Sequence, residues 1–238
     1  MPGNLAFLLP MLESQLAAGY GWPEPQEGRT RMLTLYYSPG ACSLAPHIVL
    51  EELGEPFAAK RTVIAEGQNR TPDYLKLNPT GQVPTLVVDD DKVLTQNVAI
   101  LTFLGQRKPE KKLLPSDPIA AAQAISFMAF LTSTVHPTYG RFFRPSRATP
   151  DEKAHDSVKA TAKEAIKGYY DDLEKKLAGQ DWAVGNGYTV CDAYLHVFYR
   201  WGGRIELPMK DYKALTAHAE RMRARPATGR ALADEGIS

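Results

Sequence analysis

The apolar period of this chain changes once, near residue 108, and that change constrains the fold more than any motif does. Between Leu33 and Arg107, short runs of strand character take turns with runs on helical spacing. Leu33–Tyr37 predicts a strand. Ser43–Leu53 predicts a helix, with Leu44, Ile48 and Leu53 near helical spacing, Pro46 in the first turn where no intrahelical N–H is lost, and Gly54 as the stop. Phe57–Val63 predicts a second strand. Pro84–Asp89 and Lys92–Thr95 predict two more, joined by the acidic turn Asp89-Asp90-Asp91, and Asn97–Arg107 predicts a helix carrying Val98, Leu101 and Leu104. The order βαβ then ββα makes one α/β unit. Residues 108–117 are charged, proline-bearing and aperiodic, as a linker is. Beyond them only helical patterns remain: Ala120–Ser133, a long face of Ala162, Ala165, Ile166, Tyr169, Leu173 and Leu177, and an apolar helix of Ala193, Tyr194, Val197, Phe198 and Trp201. The expected organisation is an α/β domain over 32–107 and an all-α domain over 118–238.

Residues 1–31 stand apart. Gly19-Tyr20-Gly21-Trp22-Pro23-Glu24-Pro25 is turn-rich and aperiodic, so this extension is either a poorly ordered tail or a stretch ahead of a natural start at Met32. Its apolar run Leu5–Leu12 is broken by Pro10, and no basic residue precedes Arg29, which argues against a secretory signal.

Charge and cysteine usage exclude several classes. A net charge of +1 over 238 residues gives no case for a nucleic-acid or anionic-membrane partner. Arg221, Arg223, Arg225 and Arg230 read as a solvated helix face. No uninterrupted apolar run reaches the ~18–20 residues of a membrane span. With two cysteines, Cys42 and Cys191, the chain has no disulfide framework, and a reducing, cytoplasmic location is expected.

The chemistry centres on Cys42, in Tyr36-Tyr37-Ser38-Pro39-Gly40-Ala41-Cys42-Ser43. A strand, a Pro-Gly turn and a helix start would surround the thiol with free N–H groups and the positive end of a helix dipole. Such settings draw a thiol from about 8.5 toward ~3.5–7.5. A dithiol pair needs C-x-x-C, and Pro39 occupies the partner position, so the second sulfur must arrive on a small molecule. Val83-Pro84, at a strand entry, is a candidate cis peptide whose Val83 backbone could pair with a cysteinyl peptide. Gln96 and Asn97, where strand passes into helix, would offer a carboxylate backbone N–H groups and amides. Ser43 is either an N-cap-like residue or a hydroxyl donor to the incoming sulfur. Thr189-Val190-Cys191-Asp192 fits a capping box, which makes Cys191 structural and inert.

SPGACSLAPHIVLEELG, NPTGQVPTL, LTQNVAIL and YTVCDAY occur in the order found in cytosolic glutathione transferases, and the chain resembles the bacterial beta class of that family from Leu33 to near its C-terminus. The resemblance implies a thioredoxin-like domain followed by an all-α domain, a homodimer, glutathione as cosubstrate with no metal, and a hydrophobic electrophile as second substrate. It implies that Cys42 faces the glutathione sulfur, that Gln82, Val83 and Pro84 hold the cysteinyl part, that Gln96 and Asn97 hold the γ-glutamyl end, and that His136 lines the site. Tyr37, His136 and Trp201 would border the second-substrate pocket. Ser38, Pro137 and Gln96-Asn97 depart from the class, which usually has a lysine at the first two positions and Glu-Ser at the third. A site poorer in positive charge, with a weaker hold on glutathione, is therefore expected. Conjugation to an electrophile and thiol–disulfide exchange through Cys42 both remain open, as does a non-catalytic binding protein that keeps the fold.

Overall fold

In the computed structural model, which describes residues 32–89 and 91–238, four strands form one sheet in the order β2-β1-β3-β4. The 1–31 extension and Asp90 in the acidic turn lie outside the described residues. The strands are β1 (Leu33–Tyr37), β2 (Phe57–Arg61), β3 (Thr85–Val88) and β4 (Lys92–Thr95). β1 runs parallel to β2 across the helix α1 (Leu44–Leu53), and antiparallel to β3. β3 is buried along its whole length, which matches its uninterrupted apolar run Leu86-Val87-Val88. A short helix α2 (Pro72–Leu77) and two single 3₁₀ turns fill the β2–β3 crossover, and α3 (Asn97–Arg107) follows β4.

α1 is apolar almost all round, as a helix buried on every side should be. It packs against α3, α7 (Val190–Arg204) and α9 (Pro226–Glu235). The helical part also contains α4 (Pro118–Phe130), α5 (His136–Phe143), α6 (His155–Leu177) and α8 (Lys213–Ala224). A π-helical turn, Leu131–Val135, joins α4 to α5 in one rod. By length and composition this rod, Pro118–Phe143, is apolar enough to cross a membrane. Its Ala124, Met128, Leu131, Val135 and Tyr139 are instead buried in the helical core.

The segment expected as a linker is docked. Leu113 and Leu114 are buried, and Val190 N–H donates to the Leu113 carbonyl at 2.9 Å. The capping box forms as expected: Thr189 N–H donates to the Asp192 carboxylate at 2.7 Å, and Cys191 N–H donates to Thr189 Oγ1. Arg223 is solvated as expected and Arg221 pairs with the exposed Asp181, but Arg225 and Arg230 reach back to α1. Arg225 grips Glu52 of α1 with two hydrogen bonds, at 2.5 and 3.0 Å, while its guanidinium lies 3.9 Å from the centre of the Tyr188 ring. Arg230 pairs with Glu51, also on α1, so both arginines tie the helical part to the sheet part.

Candidate active site

Two loops of the sheet part, with Ile64, Ala65, Asn69 and Gln96-Asn97 beside them, form one wall of a cavity of about 650 Å³, and Thr132 of the π turn, α5 with Arg144 and Arg147 after it, and α7 form the other. The first loop runs from β1 to α1. Gly40 turns it at φ +67, a left-handed conformation that favours glycine. The helical part holds that turn from both sides: Gly40 N–H donates to Glu235 Oε2 at 2.8 Å, and Trp201 Nε1 donates to the Gly40 carbonyl at 2.9 Å. The second loop is Asn78–Pro84. Asn78 Nδ2 and Tyr74 Oη both donate to the Gln82 carbonyl, and Asn69 Nδ2 donates to the Gly81 carbonyl at 2.6 Å. Gly81 is itself left-handed at φ +61, and a Cβ there would meet the Arg70 guanidinium at 2.7 Å and the Asn69 carbonyl at 2.9 Å. These contacts present the Val83-Pro84 peptide, which is cis as expected, at the cavity wall.

Cys42 lines the cavity with Ser38, Gln82, Val83, Gln96 and Asn97. It is only 7 % exposed, and its thiol donates to the Val83 carbonyl at 3.4 Å. The expected low pKa is overturned. Burial pushes the thiol up to about 12, against the downward pull of a hydrogen bond from Asn97 and of the Cys42 and Ser43 N–H groups. The helix-start donors are present, but desolvation outweighs them. Cys42 is therefore a neutral thiol here, a hydrogen-bond donor and not a thiolate.

Other expectations change with it. Ser43 is fully buried, and its Oγ accepts from Ser38 N–H and donates to the Ser38 carbonyl. It braces the turn, makes no cap hydrogen bond, and has no hydroxyl proton left to offer a sulfur. Tyr37 faces away from the cavity: its ring packs on His47 and its hydroxyl donates to the Asp234 carbonyl. The Asn97 amide donates to the Cys42 carbonyl at 3.1 Å, so Asn97 positions the cysteine loop and is only 4 % exposed. Gln96 carries the exposed amide instead, at a left-handed φ of +70 that swings β4 into α3.

His136 and Trp201 line the helical wall as expected, with ring centroids 5.1 Å apart. Burial pulls the His136 imidazole down to about 4, so it is neutral at physiological pH. Sequence reasoning missed Thr132, Tyr139, Phe143 and Tyr194 on the same wall, and Arg144, Arg147 and Arg204 with them. His136, Tyr139 and Phe143 recur at helical spacing, a signal that could have found two of them. Ser38 and Pro137 do line the cavity without a charge, but Arg144, Arg147 and Arg204 line it too and no Asp or Glu does among the described residues, so the cavity itself is not poor in cations. Outside the cavity, His47, Glu51 and Asp234 hold one possible ligand atom each within 4.8 Å of one another. His47 Nδ1 is already engaged by Glu235, and Glu51 by Arg230.

Family models for the glutathione S-transferase N-terminal and C-terminal domains match residues 40–107 and 126–226. The chain is 32% identical over 207 residues to glutathione S-transferase GstA of Escherichia coli O157:H7, covering 86% of this chain and 100% of that one. This chain belongs to the glutathione S-transferase family. Among solved structures, it resembles a bacterial beta class glutathione S-transferase of Sphingomonas chungbukensis, at 36% identity and a TM-score of 0.78, covering 86% of this chain and 100% of that one. It also resembles a glutathione transferase homologue from Sulfitobacter with bound glutathione, at 32% identity and a TM-score of 0.82, covering 87% and 99%. The four-stranded sheet followed by a helical part is the transferase fold of that family.

Proposed function

We propose that this transferase conjugates glutathione to electrophilic small molecules in the cavity beside Cys42. The supporting observation is one cavity that joins the cis peptide Val83-Pro84 on its wall, a neutral thiol at Cys42, and an aromatic wall of His136, Tyr139, Phe143 and Trp201. Glutathione pairs its cysteinyl backbone with Val83 and sets its γ-glutamyl end at Gln96 and the start of α3. Its sulfur then lies by Cys42 and the N–H groups of Cys42 and Ser43. There the Cys42 thiol turns from the Val83 carbonyl, to which it donates at 3.4 Å in the free protein, and donates to the glutathione thiolate, leaving that carbonyl to the cysteinyl backbone; lowering the glutathione thiol pKa by one unit is worth about 1.4 kcal/mol. The thiolate attacks the electrophilic carbon; the C–S bond forms, the leaving group departs with its electron pair, and the thiol proton passes to solvent.

The raised Cys42 pKa favours conjugation over exchange, since exchange needs Cys42 itself as thiolate. The arginines on the cavity wall remove the argument from charge loss at Ser38 and Pro137 for a non-catalytic binder. The location is read as cytoplasmic and the role as detoxification. The assembly is read as a homodimer, on the apolar residues Ile119 and Ile125 that α4 leaves exposed, at 70% and 37%. Calorimetry with millimolar glutathione, followed by turnover of a benzyl halide, tests the reading. Binding with conjugate formation is expected, and absence of binding at millimolar concentration contradicts it.

A further inference from the structure

Four arginines stand around this cavity without a carboxylate partner among the described residues: Arg70, Arg144, Arg147 and Arg204. Arg61, Arg141, Arg200 and Arg223 also lack an Asp or Glu pair among the described residues, so what sets the cavity arginines apart is their place: Arg144, Arg147 and Arg204 line a cavity whose wall carries no Asp or Glu. Partial burial, then the like charges of Arg144 and Arg70, draw Arg147 below its ordinary pKa. Such a cluster costs the protein repulsion that an anion would relieve.

The four are not equivalent. Arg70 lies over Gly81, on the loop that carries Val83, and Arg147 feels its charge. Arg204 stands apart on the last turn of α7. Its Nη1 comes within 3.6 Å of the point where a Gly40 Cβ would sit, two residues before Cys42. Its guanidinium lies over the Phe143 ring, 5.7 Å from its centre, next to the aromatic wall. Cation–π contact with Phe143 orients the guanidinium while leaving its N–H edges free, and a planar fork of that kind suits a carboxylate.

We propose that the second substrate is an aromatic or other flat apolar electrophile bearing an anionic group, and that Arg204 receives that group. This rests on the conjugation reading above and names the substrate class for it. The apolar body stacks on Phe143 and Trp201, the anion meets Arg204, and the electrophilic carbon faces the sulfur position at Cys42. Glutathione also carries carboxylates, so the test must separate the two sources.

Two conjugates do so: S-(para-carboxybenzyl)glutathione and its benzoate methyl ester, which differ only in the remote charge. Calorimetry on the full chain is expected to show the carboxylate conjugate binding about 10-fold tighter than the ester. In Arg204→Gln that difference should collapse to under about 3-fold, and Arg204→Lys should keep part of it as a point charge. Arg204 is exposed, so a thermal melt should show both variants folded. Equal affinities in the unmodified protein overturn the proposal, and so does a 10-fold difference that survives Arg204→Gln. It is also overturned if Arg204→Gln weakens glutathione alone as much as the carboxylate conjugate, because the arginine would then read glutathione. Failure of glutathione and both conjugates to bind would instead bring down the conjugation reading; glutathione binding without discrimination between the conjugates brings down only the substrate class.

Discussion

The two cysteines occupy helix starts that match closely in local chemistry and differ in what lies around them. Cys42 precedes α1, and Cys191 is the second residue of α7. Each is buried, each thiol donates to a backbone carbonyl at 3.4 Å, and burial pushes each up to about 12. The Cys191 thiol donates its hydrogen bond to the Ala124 carbonyl in the core and is sealed there. The Cys42 thiol donates its hydrogen bond to the Val83 carbonyl, on the wall of a cavity. A helix N-terminus therefore does not by itself make a reactive thiolate. Desolvation decides the protonation state at both sites, and access to a cavity is what separates them.

The largest expected effect lies on the sealed side. Asp192 is fully buried, accepts from Ala183 and Thr189 N–H groups, and pairs with His218. Asp192→Ala leaves those groups unpaired and should cost about 3–5 kcal/mol in urea denaturation; a loss under 1 kcal/mol would mean that the helix start tolerates unpaired polar groups. On the cavity side, Asn97→Ala removes the amide that donates to the Cys42 carbonyl. It should cost about 1–3 kcal/mol and raise the KM for glutathione, whereas an unchanged KM would separate Asn97 from the site. Cys42→Ala should lower kcat/KM at neutral pH by about 10-fold, through a less acidic glutathione sulfur. Cys191→Ala should leave kcat/KM unchanged, and a parallel loss in both variants would erase the contrast.

Titration sharpens the same comparison. Both thiols have folded pKa values above the unfolded value of about 8.5, so their contribution to stability is complete below it and falls as pH rises toward about 12. Denaturation between about pH 8.5 and 10 should show that loss, and Cys42→Ser with Cys191→Ser should flatten it. The imidazoles run the other way. His136 and His196 are pulled down to about 4 and about 3 by burial, so their contribution is full above about pH 6.5 and is lost as pH falls through the folded values.

Much of this was legible in the sequence where the signal is local. β1, β4, α3 and the Thr189–Asp192 box lie where their residues put them, because alternation, capping and helical spacing act over a few residues. Val83-Pro84 and Gln96 were legible for the same reason. The Cys42 pKa was not, since the thiol is buried by elements distant in the chain, with Val83, 41 residues away, accepting its hydrogen bond. The π turn at Leu131–Val135, which carries Thr132 onto the cavity wall, has no marker in its own residues. The outward turn of Tyr37 follows from α9, whose Asp234 carbonyl accepts its hydroxyl. The arginine rim needs α5 and α7 to meet the sheet loops, so the departures at Ser38 and Pro137 pointed to a site poorer in cations than the one that forms.

In the proposed reaction Cys42 stays protonated while the glutathione sulfur becomes the nucleophile. Ultraviolet thiolate absorbance, titrated with and without glutathione in the unmodified protein and in Cys42→Ala, tests it most directly. The account predicts no thiolate signal at neutral pH without glutathione, a signal on its addition, and a higher apparent pKa for that signal in Cys42→Ala. A thiolate signal at neutral pH in the glutathione-free protein, lost in Cys42→Ala, would contradict it.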